Sequence, residues 1–228
     1  MPIVRRHQRL PAAAAEGILV DLALVLAIDV SGSVSQDRLL LQRRGYTGAM
    51  RHPHFVQAVR SGPHGRIALT FVEWSEARRQ RQVVDWQIVH DAASAETFAA
   101  AIEAAAQSGP GWTSISAAID YAVRLLAGSG FTANRRVIDI SGDGVNNDGR
   151  EVTAARDDAV AAGVVVNGLP ILEVEPALDD YFRRNVIGGP GAFMMVARTR
   201  DDFATAVLRK LLVEIAGRKA GPTPAIGV

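Results

Sequence analysis

One aspartate and three serines stand at two-residue steps in DVSGSVS: Asp29, Ser31, Ser33 and Ser35. In extended chain, residues two apart project the same way, so Asp29, Ser31 and Ser33 can converge on one point. A second stretch, SGPGWTSIS (108–116), supplies Thr113 and Ser114 just before a helical pattern. A third, SGDGVNND (141–148), carries Asp143 between two glycines, where backbone can approach closely. Brought together, these residues form two carboxylates and three or more hydroxyls, all hard oxygen donors. That set suits Mg²⁺, Mn²⁺ or Ca²⁺ rather than zinc or copper, and no histidine or cysteine joins it. Hydroxyls are neutral ligands, so a cation held this way keeps positive charge and accepts one more anionic oxygen, such as a carboxylate from an acidic partner. Each residue alone has a simpler use: Ser31 and Ser35 can cap a helix, and Asp29 can accept loop N–H groups.

The elements that must position these residues follow from periodicity. LALVLAI (22–28) is a continuous apolar run, the mark of a strand buried on both faces. The stretch 35–50 reads as a helix with Ser35 as N-cap, ended or bent at Pro53. Further strands are expected at 66–74, 81–89, 135–143, 164–171 and 192–197, the one at 81–89 being a more polar edge paired by a hairpin. Helices are expected at 94–107 (capped through Ser94 and Thr97), 114–128, 150–163 and 201–217. Alternating strands and helices predict an α/β fold: an open, mainly parallel, twisted sheet of about six strands, helices on both faces, one antiparallel edge strand. Such sheets bind ligands beyond the carboxyl ends of their strands, where the strand order reverses. Asp29, the Thr113 loop and Asp143 all fall at or near such ends.

Composition bounds the rest. The 228 residues are 48% hydrophobic and 21% charged, enough for one globular domain. A net charge of +1 gives no footprint for nucleic acid or an anionic membrane. With no cysteine, disulfides and thiolate metal sites are excluded and the compartment stays open. Residues 18–217 are read as the domain and 218–228 as a tail. Residues 1–17 are read either as a plain arm or as the remnant of a signal segment, since Arg5, Arg6 and Arg9 precede PAAAAEG without an apolar stretch between. The run 18–28, broken by Asp21, is far shorter than the ~20 residues a membrane span needs.

DVSGS at 29–33 resembles the Asp-x-Ser-x-Ser motif of von Willebrand factor type A (vWA) domains. In that family the motif joins a threonine and an aspartate from two further loops in a metal-ion-dependent adhesion site. The resemblance implies a Rossmann-like fold over roughly 20–216. It also implies Mg²⁺ (or Mn²⁺ or Ca²⁺) held by Asp29, Ser31, Ser33, Thr113 and Asp143, and a protein partner offering an acidic side chain. More narrowly, SGPHGRIALTFVEWS, GDGVNN, NGLPIL and NVIGGPGAF resemble an uncharacterised bacterial branch of this superfamily, whose members look exported. That implies a periplasmic or secreted location. Trp112 departs from the small residue expected beside Thr113; packing over its loop is the expectation, contact with a ligand the alternative.

Competing readings lack parts. GDGVNN also resembles the Mg²⁺ loop of haloacid-dehalogenase-like phosphatases. Those need a second aspartate two residues after the nucleophile, where Ser31 stands, and an intervening lysine, whereas the only lysines are Lys210 and Lys219. A third alternative is a scaffold whose site holds no metal. No phosphate-binding G-x-x-x-x-G-K-[ST] loop is present. The histidines (His7, His52, His54, His64, His90) sit away from the sheet-end loops, which argues against serine hydrolysis, and HPH at 52–54 reads as a surface turn. The reading is therefore a binding domain and not an enzyme. Asp139 lies inside an expected strand and calls for a buried partner that the sequence does not name. The glycine-rich stretch 180–193 is expected as a packed loop.

Overall fold

The computed structural model describes residues 17–32, 36–106, 108–109 and 111–217. Ser33, Ser35, the first sixteen residues and the tail 218–228 lie outside the described residues. In chain order the elements are β1 (Ile18–Asp29), α1 (Gln36–Arg51), α2 (Pro53–Arg60), β2 (Ile67–Trp74), β3 (Gln80–Val89), α3 (Ala92–Ala104), α4 (Ile115–Ala127), β4 (Phe131–Gly142), α5 (Val152–Ala161), β5 (Val165–Pro170), α6 (Leu178–Tyr181), a π-helical turn (Phe182–Val186) and α7 (Arg200–Ala216).

The sheet runs β3-β2-β1-β4-β5, with β1 parallel to β2 and β4, β4 parallel to β5, and β3 antiparallel to β2. β1 is central, which is why it reads as an unbroken apolar run. Its alternate residues serve two cores. Leu22, Leu24, Leu26 and Ile28 pack in a cluster with Tyr46 of α1, Phe55 of α2, Phe98 of α3 and Phe203 of α7. Ala23, Val25 and Ala27 pack on the other face with Ala118 and Ala122 of α4, Ala155 of α5 and Phe182. Small residues on both sides of that second layer let α4 lie close to the sheet. After β1 the chain turns to the α1 side, and β4 arrives from α4 on the opposite face. The order therefore reverses between β1 and β4, and the loops after these two strands flank the crevice.

Four local expectations change. The helix expected from Ser94 begins at Ala92, because Asp91 is the N-cap: its carboxylate accepts from Ser94 N–H (2.8 Å), and Ser94 Oγ accepts in return from Asp91 N–H. Pro53 does not only end a helix; it opens α2, with His52 Nδ1 accepting from the His54 N–H, so HPH is a cap rather than a plain turn. The sixth strand expected at 192–197 runs beside β5 but forms only isolated bridges, Gly168 to Met194 and Ile171 to Ala197. Part of its pairing goes through a side chain instead of the backbone, since Asn167 Oδ1 accepts the Phe193 N–H at 2.7 Å. The stretch 180–193, expected as a loop, is partly helical, and Phe182 and Val186 are buried in the second core.

Asp139 finds its partner on the last helix. Lys210 Nζ lies 2.8 Å from Asp139 Oδ1 and 2.6 Å from Glu214 Oε1, all three buried. Asn167 Nδ2 donates to both Glu214 oxygens (3.0 and 2.9 Å), and the ammonium sits 4.8 Å from the Phe193 ring centre. Burial pulls the Lys210 ammonium down, but the two carboxylates more than offset it and hold its pKa above the ordinary value. One lysine thus fastens α7 to the middle of β4 and β5.

Candidate metal centre

Asp29 is the last residue of β1 and is fully buried. Its backbone is fixed from two sides: Gln42 Nε2 of α1 donates to the Asp29 carbonyl (3.4 Å), and the next N–H, of Val30, donates to the Trp74 carbonyl (2.9 Å). Oδ1 accepts the Ser31 N–H at 2.7 Å, while Oδ2 has no hydrogen-bond partner among the described residues. A buried carboxylate oxygen without a partner is costly. Burial pushes the carboxyl up to about 7 against the pull of the Ser31 hydroxyl and N–H, with a smaller push from the charge of Asp143 and a smaller pull from the Asp143 backbone N–H.

The Asp143 loop lies directly alongside. Ile28 pairs with Ser141, which sets Gly142 next to Asp29. A Cβ at Gly142 would stand 2.9 Å from Asp29 Oδ2, so only glycine leaves this oxygen its space. Asp143 follows, nearly buried. Thr113 completes the group: a Cβ at Gly144 would lie 3.7 Å from Thr113 Oγ1, so the threonine hydroxyl is beside the Asp143 loop. The structure thus gathers Asp29, Ser31, Thr113 and Asp143 around the ends of β1 and β4, all of them nearly buried. Ser33 lies outside the described residues. Ser114 is the N-cap of α4, with Oγ accepting from Ala117 N–H, rather than a further donor to the site.

Residues of GDGVNND that motif reading left without a role lock the Thr113 loop in place. Asn147 Oδ1 accepts the Thr113 N–H (2.9 Å), and the Asn147 N–H donates back to the Thr113 carbonyl (2.9 Å). Asn146 Oδ1 accepts the Ser116 N–H (3.0 Å), and Asp148 Oδ2 accepts the Ala77 N–H (2.7 Å). Gly149 closes the loop at φ 82°, with the Ser114 hydroxyl 2.5 Å from where a Cβ would be. The signal for these roles was present: two consecutive asparagines after a glycine favour side-chain-to-backbone bonds in a tight loop.

Among the described residues no three histidine, cysteine, aspartate or glutamate side chains gather to hold a metal ion. The donor set is two carboxylates plus hydroxyls, and it fits a hard cation on one specific ground: Asp29 Oδ2 is buried, anionic when ionised, and without a hydrogen-bond partner among the described residues. One resident cation stands nearby. Arg38 Nη1 lies 3.3 Å from Asp143 Oδ2, and Arg38 Nη2 lies 3.6 Å from Glu173 Oε2. Trp112 is 67% exposed beside Thr113 and joins neither core cluster.

A family model described as protein of unknown function (DUF1194) matches residues 19–219. The chain belongs to the DUF1194 family. Comparison with curated proteins gave no match. Solved structures similar to this DUF1194 chain include vWA domains. A von Willebrand factor type A protein from Catenulispora acidiphila is 14% identical with a TM-score of 0.63, over 86% of this chain and 43% of that one. The vWF domain of the type V pili tip protein Mfa5 from Porphyromonas gingivalis is 12% identical with a TM-score of 0.58, over 90% of this chain and 98% of that one. Proximal thread matrix protein 1 from the mussel byssus, with a zinc-occupied MIDAS motif, is 15% identical with a TM-score of 0.58, over 86% and 46%. The DUF1194 chain spans less than half the length of the Catenulispora and mussel structures it matches. These likenesses establish its fold as the vWA fold.

Proposed function

We propose that this protein is a metal-dependent protein-binding domain of the adhesion or scaffold kind. Asp29, Ser31, Ser33, Thr113 and Asp143 would hold a divalent cation, Mg²⁺ or else Mn²⁺ or Ca²⁺, at the carboxyl end of the sheet. The bound cation supplies an electrophilic point that accepts a carboxylate oxygen from a protein partner. The observation that carries this reading is the buried, unpartnered Asp29 Oδ2 against Gly142. Asp29 and Asp143 provide the negative charge, the hydroxyls provide neutral oxygens, and the asparagines of the third loop keep Thr113 in position. The adhesion setting draws support from the pilus-tip protein among the similar structures, as does a location outside the cytoplasm. Among the described residues no helix is long and apolar enough to cross a membrane.

The test is thermal denaturation with Mg²⁺, Mn²⁺ and Ca²⁺ on the wild type, Asp29→Ala and Ser33→Ala. Linkage gives a stabilisation of ~2.7 kcal/mol at a hundredfold excess over Kd. A rise in Tm confined to the wild type is the expected result; equal shifts in all three proteins, or none at millimolar metal, would remove the metal from the reading. Catalysis has no place in the proposal, and phosphatase turnover abolished by Asp29→Asn would overturn that part.

One contact favours a second reading, a scaffold with a metal-free site. The Arg38 guanidinium already lies against Asp143. Arg38→Gln separates the two: it raises metal affinity if the guanidinium competes with a cation, and changes nothing if no cation binds.

A further inference from the structure

Next to the metal centre, on the β2–β3 side, lies a cleft of about 340 Å³ lined by Glu73, Ser75, Arg79, Gln80, Arg81, Ser108 and Gly109. Three features mark it as more than a gap. Its one carboxylate is already satisfied: Glu73 Oε1 takes Arg43 Nε at 2.8 Å and Nη2 at 2.5 Å, and Oε2 accepts the Ser108 N–H at 3.1 Å. Its arginines give it a net positive charge. Arg79 pairs with Glu76 at 2.9 Å, whereas Arg81 makes no ion pair or side-chain hydrogen bond among the described residues. Finally, two hydroxyls in its wall, Ser75 Oγ and Ser108 Oγ, are buried with no hydrogen-bond partner among the described residues, and Ser75 is fully buried. Unpartnered buried donors beside an uncommitted guanidinium ask for an oxyanion.

The cleft is built into the same frame as the metal centre. Trp74 pairs with Asp29, so Ser75 follows directly beside the end of β1. The Ser75 carbonyl accepts the Ser114 N–H at 2.8 Å, tying this wall to the Thr113 loop. Arg81 pairs with Glu73 one strand further out. With strands ~4.8 Å apart and ~3.3 Å per residue, the cleft lies on the order of 10 Å from Asp29.

We infer that this cleft is a second acidic subsite. The partner segment that places one carboxylate on the metal centre places a second in the cleft, on Arg81 and the Ser75 and Ser108 hydroxyls. This rests on the metal-dependent reading for the first carboxylate but not for the second. Two glycines between the acidic residues let them span up to ~10 Å, and glycine flexibility lets both side chains face the same surface.

The probes are blocked Asp-Gly-Gly-Asp and its two singly acidic versions with asparagine, titrated into the full chain with MgCl₂. The doubly acidic peptide is expected to bind about tenfold more tightly than either single one, as a charge-assisted arginine–carboxylate contact predicts. Arg81→Gln, an exposed substitution that leaves the fold alone, should abolish that ratio and keep the single-acid affinity. Equal affinities in the wild type would overturn the cleft while leaving the metal centre standing. If no peptide binds in Mg²⁺, the metal-dependent reading fails. The cleft is then decided by succinate in EDTA, followed by amide shifts of Ser108 and Gly109. Shifts lost in Arg81→Gln uphold it, and unmoved amides overturn it.

Discussion

Replacing Asp29 by asparagine should make the metal-free protein more stable while destroying its response to metal. The free carboxyl is raised from 3.8 to about 7, chiefly by burial. Between those values the native state holds a proton that the unfolded chain has released. The contribution of this group to stability is therefore complete below pH 3.8 and is lost as pH rises toward 7. Integrating that linkage, ionisation of Asp29 costs the native state ~4 kcal/mol at pH 7, of which ~2 kcal/mol accrues between pH 5 and pH 7. Asparagine keeps the acceptor for the Ser31 N–H and carries no charge, so it escapes that cost. A bound cation would relieve the same cost in the wild type by stabilising the ionised form.

The assay is urea denaturation in EDTA from pH 5 to pH 7.5, repeated with Mg²⁺. In EDTA the wild type should lose ~2 kcal/mol over that range relative to Asp29→Asn, which should be the more stable protein at the upper end. Mg²⁺ should close the gap from the wild-type side only. A wild-type stability that tracks Asp29→Asn at every pH, with the variant the weaker protein throughout, would refute the reasoning. It would mean that Asp29 is an ordinary satisfied loop acceptor.

Other perturbations follow from the same contacts. Lys210→Met leaves Asp139 and Glu214 buried without their cation and should cost ~3–5 kcal/mol in urea denaturation. Asn147→Ala removes the acceptor of the Thr113 N–H; metal affinity by calorimetry should fall ~10–100-fold, as for other groups that orient ligands. Arg51 bridges α1 to Glu96 and Glu103 of α3 at the surface. Arg51→Ala should cost under ~1 kcal/mol and less still at high salt.

The fold was legible because β1 is central. Burial on both faces forces an apolar run with no alternation, and the helices between strands then dictate parallel crossovers. The carboxyl-end rule carried the eye from there to Asp29 and Asp143. What stayed hidden was non-local. Asp139 announced a buried partner, but nothing local tied residue 139 to Lys210, because the connection runs through the packing of α7 across the sheet. The 192–197 stretch has strand composition, yet Asn167 takes up one of its N–H groups with a side chain, and the ladder breaks into bridges. The exposure of Trp112 is equally non-local: its neighbours Thr113 and Ser114 are tied to Asn147 and Ser75, residues far away in sequence.

Fixation of the Thr113 loop and of the end of β1 supports two costly features at this end of the sheet, an exposed tryptophan and a buried carboxylate oxygen with no hydrogen-bond partner among the described residues. Both are unfavourable in isolation: one leaves apolar surface in water, the other leaves charge without solvent or partner. The segments around them are held at many points. Thr113 is bonded at its N–H and at its carbonyl, Ser114 caps α4 and donates to the Asp148 carbonyl, and Arg43 binds the carbonyls of Ile102, Ala105 and Ala106 at the end of α3. A sequence selected for stability alone has cheap remedies for each defect, an asparagine at Asp29 and a small polar residue at Trp112. Costly features kept on rigid support are what the proposed binding surface calls for, where consistency gives way locally because something else completes the contacts.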